Sequence, residues 1–502
     1  MITSPTLPSP RRVADAPPYT EVVSSEPGLL ASDPVGLARL GLLVTELTRD
    51  ARAGLRRRSG PLPALEPGEL AERVGADLAG GVLPRSGRGT AAVSQLIRRY
   101  AAGTVDLADP AAAAHLQPPA LTVAVAADAV AAAFNASVDT WDSGPYAVEL
   151  ERHVVRALAD LVGFPADADG VFTSGGTASN LHALLLARDA VARRLGADPV
   201  RGWSARPVVF CSAAAHFSTA RACAVLGLGA DAVRTVPVDS AYRMRVDVLA
   251  AELAALGDDA VPLAIVATAG TTDFGSVDPL RDCGILARRY GARLHVDAAY
   301  GGGALFSERL RHLLSGVDGA DTVTLDLHKI GWQPASASVL LSRDANDFRP
   351  YRVDYLNPAD DGAAGYDGLL DRSVLATTRR ADALKVAATF LAYGRDGLGG
   401  MLDTCHDLAR HAERRIAAHP RLDLAAGATL TTVVFRYRDG SDELNAALRR
   451  RLIRSGTALL GRTAVPGRGV HLKLTLLNPA ARPEDVDELL DAVVAAGAEE
   501  AA

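Results

Sequence analysis

Short apolar runs alternate with longer helical patterns between about residue 120 and residue 345 of the chain. The short runs are rich in β-branched residues and end in polar, small or glycine residues, as buried β-strands do. They lie at residues 170–173, 208–211, 263–268, 294–296 and 322–325. This alternation predicts an α/β fold with helices flanking a mostly parallel central sheet. Because ligands bind beyond the carboxyl ends of such strands, we expect the chemistry there.

The pattern changes on both sides of this region. Residues 1–30 are rich in Pro, Ser and Ala without periodicity, which predicts a flexible N-terminal extension. Helical periodicity predicts a helical segment over residues 31–118. We therefore expect a large domain over 119–390, and a small α+β domain over 391–502, where helical patterns alternate with apolar runs.

Charge and cysteine content narrow the class of partner. The 502 residues carry a formal net charge of -6, and the basic run at 56–58 is short, so we expect a small-molecule substrate and no nucleic acid. The four cysteines lie far apart, which predicts neither disulfides nor a zinc or other metal site and favours the reducing cytoplasm.

The first thirty residues lack the apolar run of a signal peptide. The apolar stretch 121–138 contains Asp128, which favours a packing helix over a membrane span.

Lys329 follows an apolar strand in the run Asp326-Leu327-His328-Lys329 and precedes bulky apolar neighbours. Such neighbours disfavour a charged ammonium, and a neutral amine can attack an aldehyde to form an imine, or Schiff base. An ordinary surface lysine is the alternative. Lys329 becomes a candidate only in combination with other residues.

Asp297 ends another apolar strand, where an unpaired carboxylate would be costly to bury. The protonated ring nitrogen of pyridoxal 5'-phosphate (PLP) is a cation that would pair with it, and this pairing makes the ring an electron sink. A helix N-cap is the alternative role for this aspartate.

Further polar segments follow the other strand ends. Residues 174–180 combine glycines and hydroxyls ahead of a helical pattern, which is a geometry that binds phosphate. An imidazole at His216 could stack on a flat cofactor ring, and Thr268 offers a hydroxyl. A simple turn or a buried histidine explains each feature alone. Their order along one predicted rim, together with Asp297 and Lys329, favours a PLP site.

Longer motifs resemble those of the group II PLP-dependent amino-acid decarboxylases, and the resemblance covers nearly the whole chain. The matching segments are residues 140–142, 170–177, 295–299, 326–329, 377–385 and 474–479. The runs at 326–334 and 355–358 are most similar to bacterial 2,4-diaminobutyrate and siderophore-type lysine decarboxylases.

The resemblance implies the PLP-dependent transferase fold of type I and a homodimer with active sites at the subunit interface. Lys329 would hold PLP, Asp297 would pair with the ring nitrogen, and His216 would stack on the ring and act in catalysis. The full set of predicted cofactor contacts is Gly176, Thr177, His216, Thr268, Asp297, Ala299, Asp326, His328 and Lys329, with Gly176, Thr177 and His328 near the phosphate.

Members of this family also use a mobile loop between the lysine motif and the Arg-Arg motif. A tyrosine of that loop protonates the substrate carbon after carbon dioxide has left. Tyr366 and Tyr355 are the candidates here, and Tyr366 is preferred because it lies deeper in the glycine-rich stretch 360–368. The composition of this loop departs from that of the best-known members.

The implied activity is decarboxylation of an L-amino acid to an amine and carbon dioxide, a step of amino-acid and carboxylic acid metabolism. A basic aliphatic substrate (diaminobutyrate, lysine or ornithine) is expected, and an aromatic amino acid is the alternative. An aminotransferase, an amine-oxidising aldehyde synthase and a non-catalytic protein of the same fold are further alternatives.

Overall fold

The computed structural model describes residues 28–56, 58–198, 202–203, 205–353 and 355–502. Most of the predicted extension at residues 1–30 lies outside the described residues. The chain divides into two compact units, with the boundary between Val105 and Asp106. Among the described residues, no helix combines the length and the apolar character that crossing a membrane requires.

The first unit is helical, as the sequence predicts. Its helices are α1 Pro34–Leu55, α2 Pro67–Asp77 and α3 Gly89–Gly103. The carboxylate of Asp33 caps α1 by accepting a hydrogen bond from the Val35 N–H at 2.8 Å. Helices α1 and α3 approach closely at Gly54, where a Cβ atom would lie 2.2 Å from the Arg98 carbonyl oxygen. The unit ends at Val105, before the predicted bound at residue 118.

The second unit carries the remaining helices and all the strands of the described chain. Its helices are α4 Thr122–Phe134, α5 Pro145–Val162, α6 Gly176–Leu195, α7 Ser218–Val225, α8 Val246–Ala254, α9 Leu280–Tyr290, α10 Ala359–Ala363, α11 Ala383–Ala418, α12 Asp442–Arg454 and α13 Pro483–Ala501. Its strands are β1 Ala112–Ala113, β2 Asp169–Thr173, β3 Arg206–Ser212, β4 Val233–Val236, β5 Ala260–Thr268, β6 Arg293–Asp297, β7 Thr322–Asp326, β8 Ser338–Ser342, β9 Leu422–Ala426, β10 Thr432–Tyr437, β11 Leu459–Val465 and β12 Gly469–Thr475.

Seven strands form the central sheet in the order β2-β8-β7-β6-β5-β3-β4. Only β8 runs opposite to the other six strands, so the predicted mostly parallel sheet is confirmed. Strands β4 and β8 were not predicted. Strand β8 has serines at both ends, and it returns along β7 directly after the segment that carries Lys329.

Both faces of the central sheet are buried, which explains why its strands are continuous apolar runs. In β3, Val208 and Phe210 join one hydrophobic cluster. Val209 and Cys211 point to the other face and join a second cluster with residues of α6 and α7. Helices thus cover the sheet on both sides and leave its strand ends for the site.

A smaller sheet has the order β1-β11-β12-β10-β9 and packs against α12, α13 and the second half of α11. This arrangement confirms the small α+β part. The predicted domain bound at 390/391 falls inside α11, which is interrupted at Gly394 (φ 62°). Strand β1 belongs to this sheet although it precedes residue 119. The exact division into domains stays a prediction.

Candidate active site

The carboxyl ends of β2, β3, β5, β6 and β7 surround a cavity of about 340 Å³. All nine predicted cofactor contacts line it. The complete lining is Ser174, Gly175, Gly176, Thr177, Ala178, Asn180, His216, Thr268, Gly270, Thr272, Asp297, Ala299, Tyr300, Asp326, His328 and Lys329. The parallel strands bring these residues together from distant parts of the sequence, as expected for an open α/β sheet.

Lys329 lies one turn after the end of β7 and pairs with Asp326. The distance between Lys329 Nζ and Asp326 Oδ2 is 3.0 Å. On its other side, Asp326 Oδ1 accepts a hydrogen bond from the Ser338 hydroxyl at 2.5 Å. This carboxylate is buried, so Ser338 and Lys329 together stabilise its charge.

The chain contains only three lysines. Lys385 is fully buried and its ammonium lies 3.0 Å from Asp382. Lys473 pairs with Asp273 at 2.8 Å. Lys329 is therefore the one lysine of the chain that lines the cavity.

The carboxylate of Asp297 is buried at the end of β6. Its Oδ1 accepts a hydrogen bond from the Ala299 N–H at 3.1 Å, and its Oδ2 accepts one from Asn180 Nδ2 at 2.7 Å. Both donors are uncharged, so neither supplies a positive charge to the carboxylate. The carboxylate is therefore placed to pair with a cation within the cavity.

His216 follows β3 and its ring lines the cavity. Its Nδ1 lies 2.9 Å from the Ser218 hydroxyl, at the first residue of α7. Burial lowers the pKa of His216 below its ordinary value. The site therefore favours a neutral, flat imidazole that could stack against an aromatic ring.

Helix α6 begins at Gly176, and the N–H groups of a first helical turn lack partners inside the helix. A Cβ atom on Gly176 would lie 2.9 Å from Asp326 Oδ2 and 3.1 Å from the Ala299 Cβ atom. Only glycine leaves this part of the cavity open to a ligand. The buried Thr268 hydroxyl has no hydrogen-bond partner among the described residues, so it is available to a bound group.

These features fit PLP. A helix N-terminus suits its phosphate, a buried carboxylate suits its ring nitrogen, and the amine of Lys329 suits its aldehyde. The described residues contain no group of three or more histidine, cysteine or acidic side chains that could hold a metal ion.

Neither predicted loop tyrosine is among the residues that line the cavity. Tyr355 is 63% exposed and Tyr366 is 53% exposed. The ring of Tyr366 packs edge-on against Trp141 with a centroid distance of 5.2 Å. The role of either tyrosine as a proton donor stays a prediction.

Asn180, His295 and Ser338 contribute to the site but were not predicted as site residues. Asn180 lies four residues after Gly176 on α6, and His295 lies two residues before Asp297 on β6. Helical and strand periodicity place each beside its predicted neighbour, so spacing could have identified both. Ser338 lies on β8, which was not predicted, and no sequence signal pointed to it.

The small sheet also contacts the cavity lining. The Tyr300 hydroxyl lies 2.8 Å from Thr431 Oγ1 and 2.9 Å from Thr432 Oγ1, at the start of β10. Lys473 of β12 donates a hydrogen bond to the Thr272 carbonyl oxygen at 3.0 Å. The cavity is thus held from the central sheet on one side and from the small sheet on the other.

Comparison with known proteins gives matches over most of the chain. Residues 92–438 match the family model described as the pyridoxal-dependent decarboxylase conserved domain. The L-2,4-diaminobutyrate decarboxylase of Rhizobium meliloti (strain 1021) is 43% identical over 420 residues, which cover 82% of this chain and 83% of that protein. The L-2,4-diaminobutyrate decarboxylase of Acinetobacter baumannii is 34% identical over 424 residues, which cover 80% and 83%.

A solved structure has the same fold. It is the glutamate decarboxylase domain of diaminobutyrate-pyruvate transaminase and L-2,4-diaminobutyrate decarboxylase from Vibrio parahaemolyticus. It matches with a TM-score of 0.81 and 31% identity, and the match covers 94% of this chain and 98% of that chain.

Borohydride reduction of the PLP-loaded protein tests the role of Lys329. Reduction fixes the cofactor covalently to the lysine that holds it, and peptide mass mapping can distinguish all three lysines of the chain. We expect the label on Lys329, because Lys385 and Lys473 are engaged by carboxylates outside the cavity. The Lys329→Ala variant should lose both the label and the visible absorption band. A label on Lys385 or Lys473 would contradict the assignment.

Proposed function

Because the chain belongs to the pyridoxal-dependent decarboxylase family, and is therefore a PLP-dependent amino-acid decarboxylase, we propose that its substrate is a basic aliphatic L-amino acid. Within that class we propose L-2,4-diaminobutyrate ahead of lysine and ornithine. The observation that carries the choice is the 43% identity to a diaminobutyrate decarboxylase over 82% of the chain.

The charges of the cavity support this choice. Its lining includes the carboxylates of Asp297 and Asp326 and the ammonium of Lys329, but no arginine. An acidic substrate side chain would therefore find no guanidinium partner among these residues. With Asp297 assigned to the cofactor and Asp326 to Lys329, the lining disfavours an acidic side chain more than it disfavours a basic one.

In the proposed mechanism, bound PLP supplies the aldehyde that binds the substrate amine and the ring that accepts electrons as carbon dioxide leaves. Asp297 would pair with the protonated ring nitrogen, and His216 would pack against the ring. Lys329 would hold the aldehyde carbon through Nζ, and Asp326 Oδ2, 3.0 Å from Nζ, would hold that amine when the substrate amine takes its place. Among the described residues that line the cavity there is no arginine to pair with the departing carboxylate, and an unpaired carboxylate is lost more readily.

A panel of L-amino acids assayed for carbon dioxide and amine tests the substrate proposal. We expect kcat/KM for 2,4-diaminobutyrate to exceed that for aromatic amino acids by at least about tenfold, because the site discriminates by polar contacts. Carbon dioxide and the diamine should form in equal amounts. Exclusive turnover of an aromatic amino acid would overturn the proposal. Formation of a keto acid, or of an aldehyde with hydrogen peroxide, would show that the protein acts as a transaminase or an oxidising aldehyde synthase.

We also propose that Tyr366 protonates the substrate carbon after decarboxylation. The segment that carries it is fixed at its base, because Asn357 Nδ2 donates to the Asp139 carbonyl oxygen at 3.1 Å and the Gly368 N–H donates to Asn357 Oδ1 at 3.2 Å. Tyr366 lies inside this closed segment, whereas Tyr355 lies before it. A segment held at both ends can shift as a unit without unfolding, as a lid requires.

Conservative substitution of the two tyrosines tests this assignment. The Tyr366→Phe variant should lower kcat by roughly 10²- to 10⁴-fold with little change in KM, since it loses a general acid and leaves substrate binding intact. Tyr355→Phe is the matched control and should stay near the wild-type rate. The reverse pattern would assign the role to Tyr355, and near-normal rates in both variants would exclude both residues.

We further propose that the protein acts as a homodimer in the cytoplasm. The dimer follows from the family resemblance, and sedimentation should give twice the chain mass of 52.2 kDa. The cytoplasmic location is supported by the four cysteines, which are all buried as free thiols. Such thiols suit a reducing compartment.

A further inference from the structure

Asn180 is a buried polar side chain that hydrogen-bonds to residues at or after the ends of two different strands of the site, Asp297 and Ser218. It lies on α6, one turn after the start of the helix at Gly176, and is 2% exposed. Its Nδ2 donates to Asp297 Oδ2 at 2.7 Å and to the Ser218 hydroxyl oxygen at 2.9 Å. Its Oδ1 lies 3.0 Å from His295 Nε2. All its hydrogen-bonding groups are therefore used.

The orientation of the Asn180 amide follows from its partners. An ionised carboxylate only accepts hydrogen bonds, so Nδ2 must face Asp297 and Oδ1 must face His295. Consequently His295 carries its hydrogen on Nε2. Burial lowers the pKa of His295, which leaves its Nδ1 as an acceptor for the Thr322 hydroxyl at 2.9 Å. The hydrogen bonds between Thr322 and His295 and between His295 and Asn180 thus fix the orientation of the amide.

The second branch of the network reaches His216. The Ser218 oxygen accepts a hydrogen bond from Asn180, so its own hydrogen is free to point at His216 Nδ1, 2.9 Å away. The Ser218 N–H points at the same nitrogen from 3.4 Å. Two donors at Nδ1 make it an acceptor, and the ring hydrogen of His216 must then lie on Nε2.

We propose that Asn180 is the positioning residue that sets both ring contacts of PLP, the carboxylate of Asp297 and the imidazole of His216. The inference rests on the proposed roles of these two residues. Asn180 holds Asp297 directly and holds His216 through Ser218. One amide therefore fixes the position of the carboxylate at the edge of the PLP ring and the tautomer of the imidazole at the face of that ring.

The physical effect of the amide is electrostatic as well as steric. Asn180 provides one of the two hydrogen bonds that the Asp297 carboxylate accepts, and each such bond stabilises negative charge on its oxygens. Removing it weakens the preference for a protonated cofactor ring. Replacing the amide by a carboxylate, which only accepts hydrogen bonds, also adds a negative charge beside Asp297.

The Asn180→Leu and Asn180→Asp variants test the proposal by direct measurement of PLP binding to the apoenzyme. We expect PLP affinity to fall by roughly 10- to 100-fold in Asn180→Leu, the effect of losing hydrogen bonds to a charged group. In Asn180→Asp, the pH midpoint of the visible absorption of bound PLP should rise by about one unit, because an added carboxylate favours the protonated cofactor. Asn180→Ser keeps a single donor and should give an intermediate affinity.

Asn445 offers a matched control. It is a fully buried asparagine of α12 in the small sheet's layer, where its Oδ1 accepts from the Tyr437 N–H at 2.8 Å. Asn445→Leu should lower thermal stability but leave PLP affinity and the pH midpoint unchanged, so it separates positioning from general destabilisation. If Asn180→Leu does not fold, Asn180→Ser decides the question.

Asp297→Asn separates failure of this inference from failure of the proposed function. If Asp297→Asn weakens PLP binding while the Asn180 variants match the wild type in affinity and pH midpoint, the positioning role is wrong and the cofactor site stands. If Asp297→Asn also has no effect, the assignment of Asp297 itself is wrong.

Discussion

The buried negative charge of Asp297 is the constraint on which the rest of the site depends. A carboxylate at the end of a central strand is stable only with hydrogen-bond donors and a cation. The protein supplies the donors from Ala299 and Asn180, and both are neutral. In the proposed function, the protonated ring nitrogen of PLP supplies the positive charge. The same carboxylate would then favour PLP binding and make its ring an electron acceptor.

The two carboxylates of the site, Asp297 and Asp326, have separate partners. Asp297 is supported by the Asn180 network, whereas Asp326 is supported by Ser338 and Lys329. In the proposed mechanism, Asp297 faces the ring nitrogen and Asp326 pairs with the lysine. Tyr300 and Lys473 connect this arrangement to the small sheet, so a shift of that sheet would move residues of the cavity lining.

Strand ends were the part of the fold that sequence predicted best. Five apolar runs correspond to β2, β3, β5, β6 and β7, and the nine cofactor contacts predicted at or after their ends all line one cavity. Strand β8 and its Ser338 were not predicted, because a strand that returns antiparallel along β7 does not show the strand–helix alternation that identified the five predicted strands. Asn180 and His295 lie at helical or strand spacing from Gly176 and Asp297, which places them near the site, but that spacing does not encode which partners they meet in space. Tyr366 could not be placed in the same way, since the sequence indicates a loop but not where the tyrosine side chain lies during catalysis.

The most direct test of the account is the rate of carbon dioxide release by Asp297→Asn at saturating PLP and diaminobutyrate. The variant keeps the shape of the side chain and removes its charge, while Lys329 remains able to hold the cofactor. We expect kcat to fall on the order of 10²-fold or more, because the charge that stabilises the electron-accepting ring is lost. A variant that carries PLP on Lys329 and turns over at the wild-type rate would contradict the central claim.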